Sequence, residues 1–414
     1  MSFFSLNSWN EPGTILQAAE PEEIVAGGWD EWDKLRDLLA RRRKTGGDSV
    51  HPQSAAVGYF TYEGAFRFAW FPRISILREN GFSALWNERC ADWVARALRA
   101  RGSGAERETY PGPQSQRARR TECDGYPWRA DMPRAQFESI VARAQEYIAA
   151  GDIYQVNLAQ KFTTRFEGNP YRLFEHLLAR SPAPGGAFLD FGTESDGVRI
   201  LSASPEMFLR VRGRHVTTRP IKGTRPRSRD PVLDQQLAFE LRNDPKELAE
   251  LIMITDLERN DLGQICEYGS VVVTQLAQLE HFPQVHHLVS TIEGLLRPGI
   301  DALDAVRACI PGGSISGAPK KRAREIIAEL EPCARGIYTG LIGYFDDSGD
   351  AAFSIAIRTM IHEGATLHFS VGSGITSGSV PAREYDETLH KAAGMQMAIE
   401  AYAASAIRRP ERAN

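Results

Sequence analysis

From Tyr154 to Val371 the chain is a dense succession of short apolar runs, and that density limits the folds open to it. Strands are expected over Tyr154–Phe162, Ala187–Phe191, Arg199–Ala203, Met207–Val211 and Val271–Leu276. Further strands are expected over Gly340–Phe345, Ala352–Met360 and Leu367–Val371. Helical periodicity comes in blocks, over Pro231–Arg242, Pro245–Arg259, Pro319–Leu330 and Arg383–Ala404. Strand and helix therefore do not alternate strictly, and no G-x-G-x-x-G turn links them, which argues against a doubly wound parallel sheet. The pattern predicts an α+β fold in which large antiparallel β-sheets pack as a sandwich with helices outside. No internal repeat is present.

Three stretches divide the chain by composition. Residues 1–100 read as a small α/β segment, with an amphipathic helix over Trp29–Lys44 and a strand over Val57–Tyr62. Residues 101–131 turn to Gly, Pro, Ser, Gln and Arg, the composition of a linker or exposed loop. Residues 132–408 carry the dense pattern, opening with a helix from Pro133 to Ala150 that stops at Gly151.

A net charge of −4 gives no general attraction to nucleic acid or an anionic membrane. No apolar run approaches the roughly 20 residues of a membrane span, and the N-terminus lacks a basic region followed by an apolar core. The five cysteines (Cys90, Cys123, Cys266, Cys309, Cys333) are scattered and never form C-x-x-C, which fits reduced thiols and a cytoplasmic location.

Five constellations carry chemistry. Asp244-Pro245 opens a helix as N-cap and first-turn proline, placing Glu247 and Glu250 three apart on one face. Glu384 and Glu387 repeat that spacing at the start of the last helix. Taken singly, such a pair is most often a solvated helix face. If the two faces met, the carboxylates would repel unless a cation lay between them, and magnesium with an acidic substrate would suit.

A glycine-rich turn, Pro311-Gly312-Gly313-Ser314-Ile315-Ser316-Gly317-Ala318-Pro319, leads into a helix and is expected to face an anion. Gly312 and Gly317 have P-loop spacing, but Ala318 stands where that motif needs lysine, which excludes nucleotide binding. Arg358 is expected on a strand, with Gly372-Ser373-Gly374 following. A guanidinium and closely approachable backbone amides together suit a carboxylate, supplied by the protein or by a substrate.

The fifth is Lys222, in Arg219-Pro220-Ile221-Lys222-Gly223-Thr224-Arg225-Pro226-Arg227, with Glu206 upstream in Ser204-Pro205-Glu206. A lysine amine is nucleophilic when neutral, and Arg219, Arg225 and Arg227 could supply a field that favours that form. Glu206 would then carry protons.

Six ordered motifs resemble the chorismate-utilising enzymes: Ser204-Pro205-Glu206, Pro220-Ile221-Lys222-Gly223-Thr224, Asp256-Leu257-Glu258-Arg259-Asn260-Asp261-Leu262, His287-Leu288-Val289-Ser290, Gly317-Ala318-Pro319-Lys320, and Glu387-Thr388 with Lys391. The resemblance covers about residues 130 to 405 strongly and the first hundred weakly. It implies the fold of anthranilate synthase component I and a chorismate site holding Mg2+. Glu250 and Glu387 are implied as direct ligands, with Glu247 and Glu384 close behind. Tyr338, Arg358, Lys391 and the amides around Gly372 and Gly374 are implied to hold the carboxylates, with Ser314 and His287 near the ring.

Within that family, lysine at the Pro-Ile-x-Gly-Thr position is similar to the aminodeoxychorismate synthases, whereas anthranilate synthases usually have alanine. The position of a base lysine in isochorismate and salicylate synthases matches Gln155. The resemblance therefore implies conversion of chorismate and ammonia to 4-amino-4-deoxychorismate, toward p-aminobenzoate and folate, through Lys222 covalently. The alternative is anthranilate and pyruvate. No cysteine lies in G-x-C-x-G, so ammonia is expected from a separate glutamine amidotransferase subunit forming a heterodimer. Ser181–Phe188 lacks the Asn-Pro-Ser-Pro-Tyr pattern of tryptophan-binding relatives, and with the sequence ending at Asn414 no fused lyase is expected.

Overall fold

A computed structural model of the chain describes residues 3–7, 14–44, 52–78, 128–192 and 197–407. The strands begin with β1 (Phe3–Asn7), β2 (Thr14–Ala19), β3 (Glu23–Gly27), β4 (Ala55–Phe60), β5 (Phe66–Phe71), β6 (Ser75–Arg78) and β7 (Arg129–Ala130). Next come β8 (Gln155–Arg165), β9 (Gly185–Asp190), β10 (Arg199–Ser204), β11 (Met207–Arg212), β12 (His215–Arg219), β13 (Ile221–Pro226), β14 (Val272–His281) and β15 (Val285–Leu295). The last are β16 (Gly317–Ala318), β17 (Leu341–Asp346), β18 (Ala351–Ile355), β19 (Thr359–Glu363) and β20 (Thr366–Ile375). Among them run helices α1 (Trp32–Arg42), α2 (Arg134–Ala149), α3 (Pro170–Arg180), α4 (Pro231–Arg242), α5 (Pro245–Gly263), α6 (Ala302–Cys309), α7 (Lys320–Leu330) and α8 (Pro381–Ile407).

Among the described residues these strands form two ten-stranded sheets, and every strand pair given a register is antiparallel. The first follows β16-β8-β20-β19-β10-β9-β1-β2-β6, with β7 beside β8. The second follows β13-β15-β12-β11-β18-β17-β4-β5-β3, with β14 beside β15. Strands from the first 78 residues thus enter both sheets. The stretch expected as a linker lies outside the described residues up to Pro127.

The apolar runs follow from this layering. Along β4, Val57 and Tyr59 point into one core while Ala56 and Phe60 point into another. Along β9 and β10, Leu189 and Ile200 face that first core, and Phe188 and Leu201 face a third. The first core lies between the sheets; the other two lie outside, under helices. Trp32, Leu35 and Leu38 of α1 and Leu303 and Val306 of α6 cover the second sheet. Phe174 and Leu177 of α3 and Met395 and Ile399 of α8 cover the first. Strands buried on both faces need apolar residues at every position, so a period of two is lost.

The sheets are joined at a corner. β10 ends at Ser204 in the first sheet and β11 starts at Met207 in the second, with Pro205 and Glu206 between. β18 and β19 make the reverse passage through Ala356, Ile357 and Arg358. Both passages are paired at their ends, Ser202 with Thr359 and Met207 with Ser354. The Ile355 amide also donates to the Glu206 carbonyl at 3.1 Å. Arg358 is accordingly not within a strand as the sequence suggested. Its φ is +49°, a left-handed conformation that interrupts the run between β18 and β19 and costs an arginine on the order of 1 kcal/mol.

Candidate active site

At the corner the sheet edges enclose a cavity of about 200 Å³. Glu206, Lys222, His287, Ser314, Tyr338, Arg358, Gly372, Gly374 and Lys391 all line it. They come from both sheets, the glycine-rich loop and α8. The structure thus gathers the nine residues expected to act on or hold a substrate into one wall.

Lys222 lies on β13, the edge strand of the second sheet. A register shift between Lys222 and Thr224 is made possible by Gly223, whose φ is +74°. A Cβ there would also press Leu241 at 2.7 Å, so the bulge has a local cause in the sequence. Lys222 Nζ sits 3.8 Å from Glu250 Oε2. The three arginines around it are each engaged by a carboxylate. Arg219 pairs with Glu280, Arg225 lies 2.9 Å from Asp244, and Arg227 lies 2.9 Å from Asp234. The cationic field read from the sequence is therefore compensated locally.

Glu206 is 4% exposed, and burial raises its pKa from 4.5 to about 7. The Ser314 hydroxyl, the Lys222 charge and the Ile221 amide at 3.5 Å oppose that rise. Among the described residues Ser314 makes no hydrogen bond of good geometry, so its buried hydroxyl is left for a ligand at the cavity wall. A carboxyl half-protonated near neutrality is suited to deliver a proton.

His287 can be assigned a tautomer. Its Nδ1 lies 3.1 Å from the Gly223 carbonyl, which can only accept, so Nδ1 carries the hydrogen. Nε2 is then a bare acceptor, buried and without a partner among the described residues. Burial lowers the ring pKa to about 4, so the imidazole is neutral at physiological pH.

The anion-holding side is equally specific. The Arg358 guanidinium has no hydrogen bond or ion pair among the described residues, and burial lowers its pKa. An arginine so placed lacks a partner that a substrate carboxylate could supply. A Cβ on Gly372 would lie 2.8 Å from the Leu158 carbonyl and 3.0 Å from Tyr338 Oη. One on Gly374 would collide with Gln155 Nε2 and lie 3.7 Å from Lys222 Nζ. These glycines keep the floor clear beneath the lysine. Gln155 is 2% exposed, and its Oε1 has no hydrogen-bond partner among the described residues.

The glycine-rich loop is closely packed at Gly313 and Gly317. Gly317 (φ +138°) and Ala318 form β16 against β8, where a Gly317 Cβ would strike the Gln155 carbonyl. A Cβ on Gly313 would lie 2.9 Å from Leu257. Buried Arg335, which the sequence did not single out, pins the loop by donating to the Ile315 carbonyl (2.9 Å) and the Asn157 carbonyl (2.7 Å). Its only sequence signal is Glu331 four residues earlier, with which it pairs at 2.6 Å.

The four glutamates flank the cavity without lining it. Glu250 lies 3.8 Å from both Lys222 and Lys246, and Glu387 lies 2.7 Å from Lys391. Glu247 faces Arg225 at 3.6 Å, and buried Glu384 accepts from Ser373. Burial raises Glu250, with the Glu387 charge contributing, while against burial Lys391 holds Glu387 below the usual range. Among the described residues no three acidic, His or Cys side chains converge as a ready-made ion site. Glu250 and Glu387, near enough for the charge of one to act on the other, still suit magnesium, which takes one or two carboxylates and fills its shell with water and substrate oxygens.

Residues 7–397 match the chorismate binding enzyme family. The chain belongs to that family. It is 46% identical to anthranilate synthase component 1 of Streptomyces coelicolor over 279 residues, 67% of this chain and 54% of that protein. It is also 46% identical to aminodeoxychorismate synthase component 1 of Klebsiella aerogenes over 264 residues, 64% of this chain and 58% of that protein. The match thus spans little more than half the length of these relatives. The crystal structure of anthranilate synthase component I from Streptococcus pneumoniae superposes with a TM-score of 0.74 at 29% identity, over 92% of each chain.

Pro182, Ala183 and Pro184, where the tryptophan-binding pattern is missing, line a second cleft of about 640 Å³ that shares Pro205 and Ile221 with the first. Among the described residues no helix is long and apolar enough to cross a membrane.

Proposed function

We propose that this family member aminates chorismate to 4-amino-4-deoxychorismate. The observation that carries the reading is Lys222 at the cavity wall, with a carboxyl titrating near neutrality beside it and a cleared glycine floor beneath. Arg358, Tyr338 and Lys391 hold the substrate carboxylates. The Lys222 amine attacks ring carbon 2 and the ring double bonds shift. The 4-hydroxyl then departs with its electron pair and takes the Glu206 proton, leaving as water. Ammonia next attacks carbon 4, the double bonds shift back, the carbon–nitrogen bond to Lys222 breaks with its electron pair returning to the amine, and the proton shed by the new nitrogen restores Glu206. Magnesium held by Glu250 and Glu387 would neutralise carboxylate charge and orient the substrate. The neutral His287 Nε2 accepts a hydrogen bond from the ring substituents or the incoming ammonia.

Ammonia is supplied by a separate glutamine amidotransferase. The relatives' names as component 1 support this, as does the state of the thiols. Cys266 and Cys309 are buried, and burial pushes Cys266 up to about 11 and Cys309 higher, far from an activated nucleophile. Formation of anthranilate and pyruvate is the second reading, favoured by the relatives of that name.

The test is to incubate the purified chain with chorismate, magnesium and ammonium chloride, and identify products by mass spectrometry and fluorescence, with and without an aminodeoxychorismate lyase. Lyase-dependent p-aminobenzoate is expected. Direct anthranilate would establish the second reading, and untouched chorismate would refute both.

A further inference from the structure

Glu258 lies in the Asp256–Leu262 motif, yet it touches nothing in the cavity. It is 7% exposed on α5 and packs beneath the glycine-rich loop, where a Cβ on Gly313 would come within 3.5 Å of its Cγ. Its Oε2 is 2.7 Å from Thr218 Oγ1, and the same hydroxyl is 2.7 Å from the Phe208 carbonyl oxygen. A hydroxyl has one hydrogen and a carbonyl has none. Two contacts of this length to two oxygens therefore need a second hydrogen, and the carboxyl is the group that can carry it. With Glu258 ionised, one contact would oppose lone pairs in a buried place.

The charges facing Glu258 agree. Asp261 on α5 and Glu206 at the corner are acidic neighbours, and Lys320 on α7 is the cation. Lys320 is taken by Asp261 and by the Cys309 carbonyl at 3.0 Å. The Cys309 thiol on α6 stays neutral. No ion pair reaches Glu258 among the described residues. Burial, with the two acidic neighbours, raises its pKa to about 8.

We propose that Glu258 is held as a neutral carboxylic acid donating its proton to Thr218, and that it is a positioning residue for the corner that carries Glu206. Glu206 and Thr218 border the neighbouring strands β11 and β12, so the two carboxyls form one buried unit. Loss of one proton from that unit opposes loss of the second. Because Glu258 is the weaker acid, Glu206 gives up its proton first beside a neutral neighbour, and it is Glu258 that then keeps its proton further into the alkaline range. The second half of the proposal rests on Glu206 being the general acid; the first does not.

Hydrogen–deuterium difference infrared spectroscopy at pH 7 reads the first half without substrate. A protonated-carboxyl carbonyl band is expected in Glu206→Gln that is lost when Glu258→Gln is added to that variant. Thr218→Val, which removes the acceptor and keeps the acid, should shift it. Absence of the band from Glu206→Gln, or no shift in Thr218→Val, overturns the neutral acid and its bond. For the second half, Glu258→Gln retains a donor to Thr218 but cannot ionise. It should leave the alkaline limb of the kcat/KM profile for chorismate where wild type has it, whereas Glu258→Ala, which removes the donor, should lower kcat about tenfold or more with KM near wild type. Equal kcat in the glutamine and alanine variants overturns the positioning role. If chorismate were not the substrate, the infrared result would stand and only the kinetic arm would be silent, so the two failures are distinguishable.

Discussion

Glu206→Gln keeps the shape of the buried side chain and removes its titrating proton. Burial lifts the carboxyl from 4.5 to about 7, which corresponds to about 3 kcal/mol against ionisation. A carboxyl so placed holds its proton in roughly half of the molecules at pH 7 and about a tenth at pH 8. The protonated form is the active one, so kcat/KM is full below the shifted pKa and falls as pH rises through it. Initial rates between pH 6 and 9 should be measured at constant free ammonia, with total ammonium adjusted at each pH. Wild type is expected to lose about tenfold per unit on the alkaline side, and the glutamine variant to be lower by about 10² to 10⁴ with a flattened limb. A variant as fast as wild type, or a wild-type profile without an alkaline fall, would refute the assignment of proton donation to Glu206.

Other outcomes follow from the same geometry. Because the folded pKa of Glu206 exceeds the unfolded value, the folded chain binds more protons between about 4.5 and 7 and loses stability as pH rises through that window. The melting temperature of Glu206→Gln relative to wild type should accordingly rise between pH 5 and pH 8; a constant difference would contradict it. Lys246→Met removes a cation 3.8 Å from Glu250 and should tighten magnesium binding, measured calorimetrically, by roughly two- to fivefold. Weaker binding would show that Lys246 does not compete with the ion. Arg358→Met should raise KM for chorismate about ten- to a hundredfold while the chain stays folded, and an unchanged KM would remove Arg358 from substrate binding. Gly374→Ala drives Gln155 aside next to Lys222 and should depress kcat far more than it lowers the melting temperature; normal turnover would mean that the floor tolerates a methyl group.

Much of this architecture is legible in the sequence, and the gaps have physical causes. α4 begins at the predicted Pro231, and α5 at Pro245 with Asp244 accepting from the Lys246 amide at 3.0 Å, because N-cap and first-turn proline act locally. α3 has the same start, Asn169 and Pro170, and α6 has an Asp301/Asp304 capping box, yet neither was anticipated. Both are short helices between apolar strands, where periodicity cannot separate buried helix from buried strand. The run from Ala352 to Met360 hid the break at Arg358, since every residue around it is compatible with a strand and only the change of sheet forces the left-handed turn. The neutralisation of Arg219 by Glu280 depends on strand pairing across dozens of residues, which no local reading supplies.

The corner where two strands change sheets has a mechanical side. Glu206 and Arg358 both ride on it, and the paired passages bind one to the other through backbone. Lys222 sits on a bulged edge strand, outside that joint. If heat, pressure or mild denaturant slides one sheet against the other, acid and guanidinium travel together while the amine drifts away from both. Loss of turnover below the melting transition should therefore come with substrate affinity largely kept, the behaviour of a vice whose jaws stay aligned after the tool has slipped.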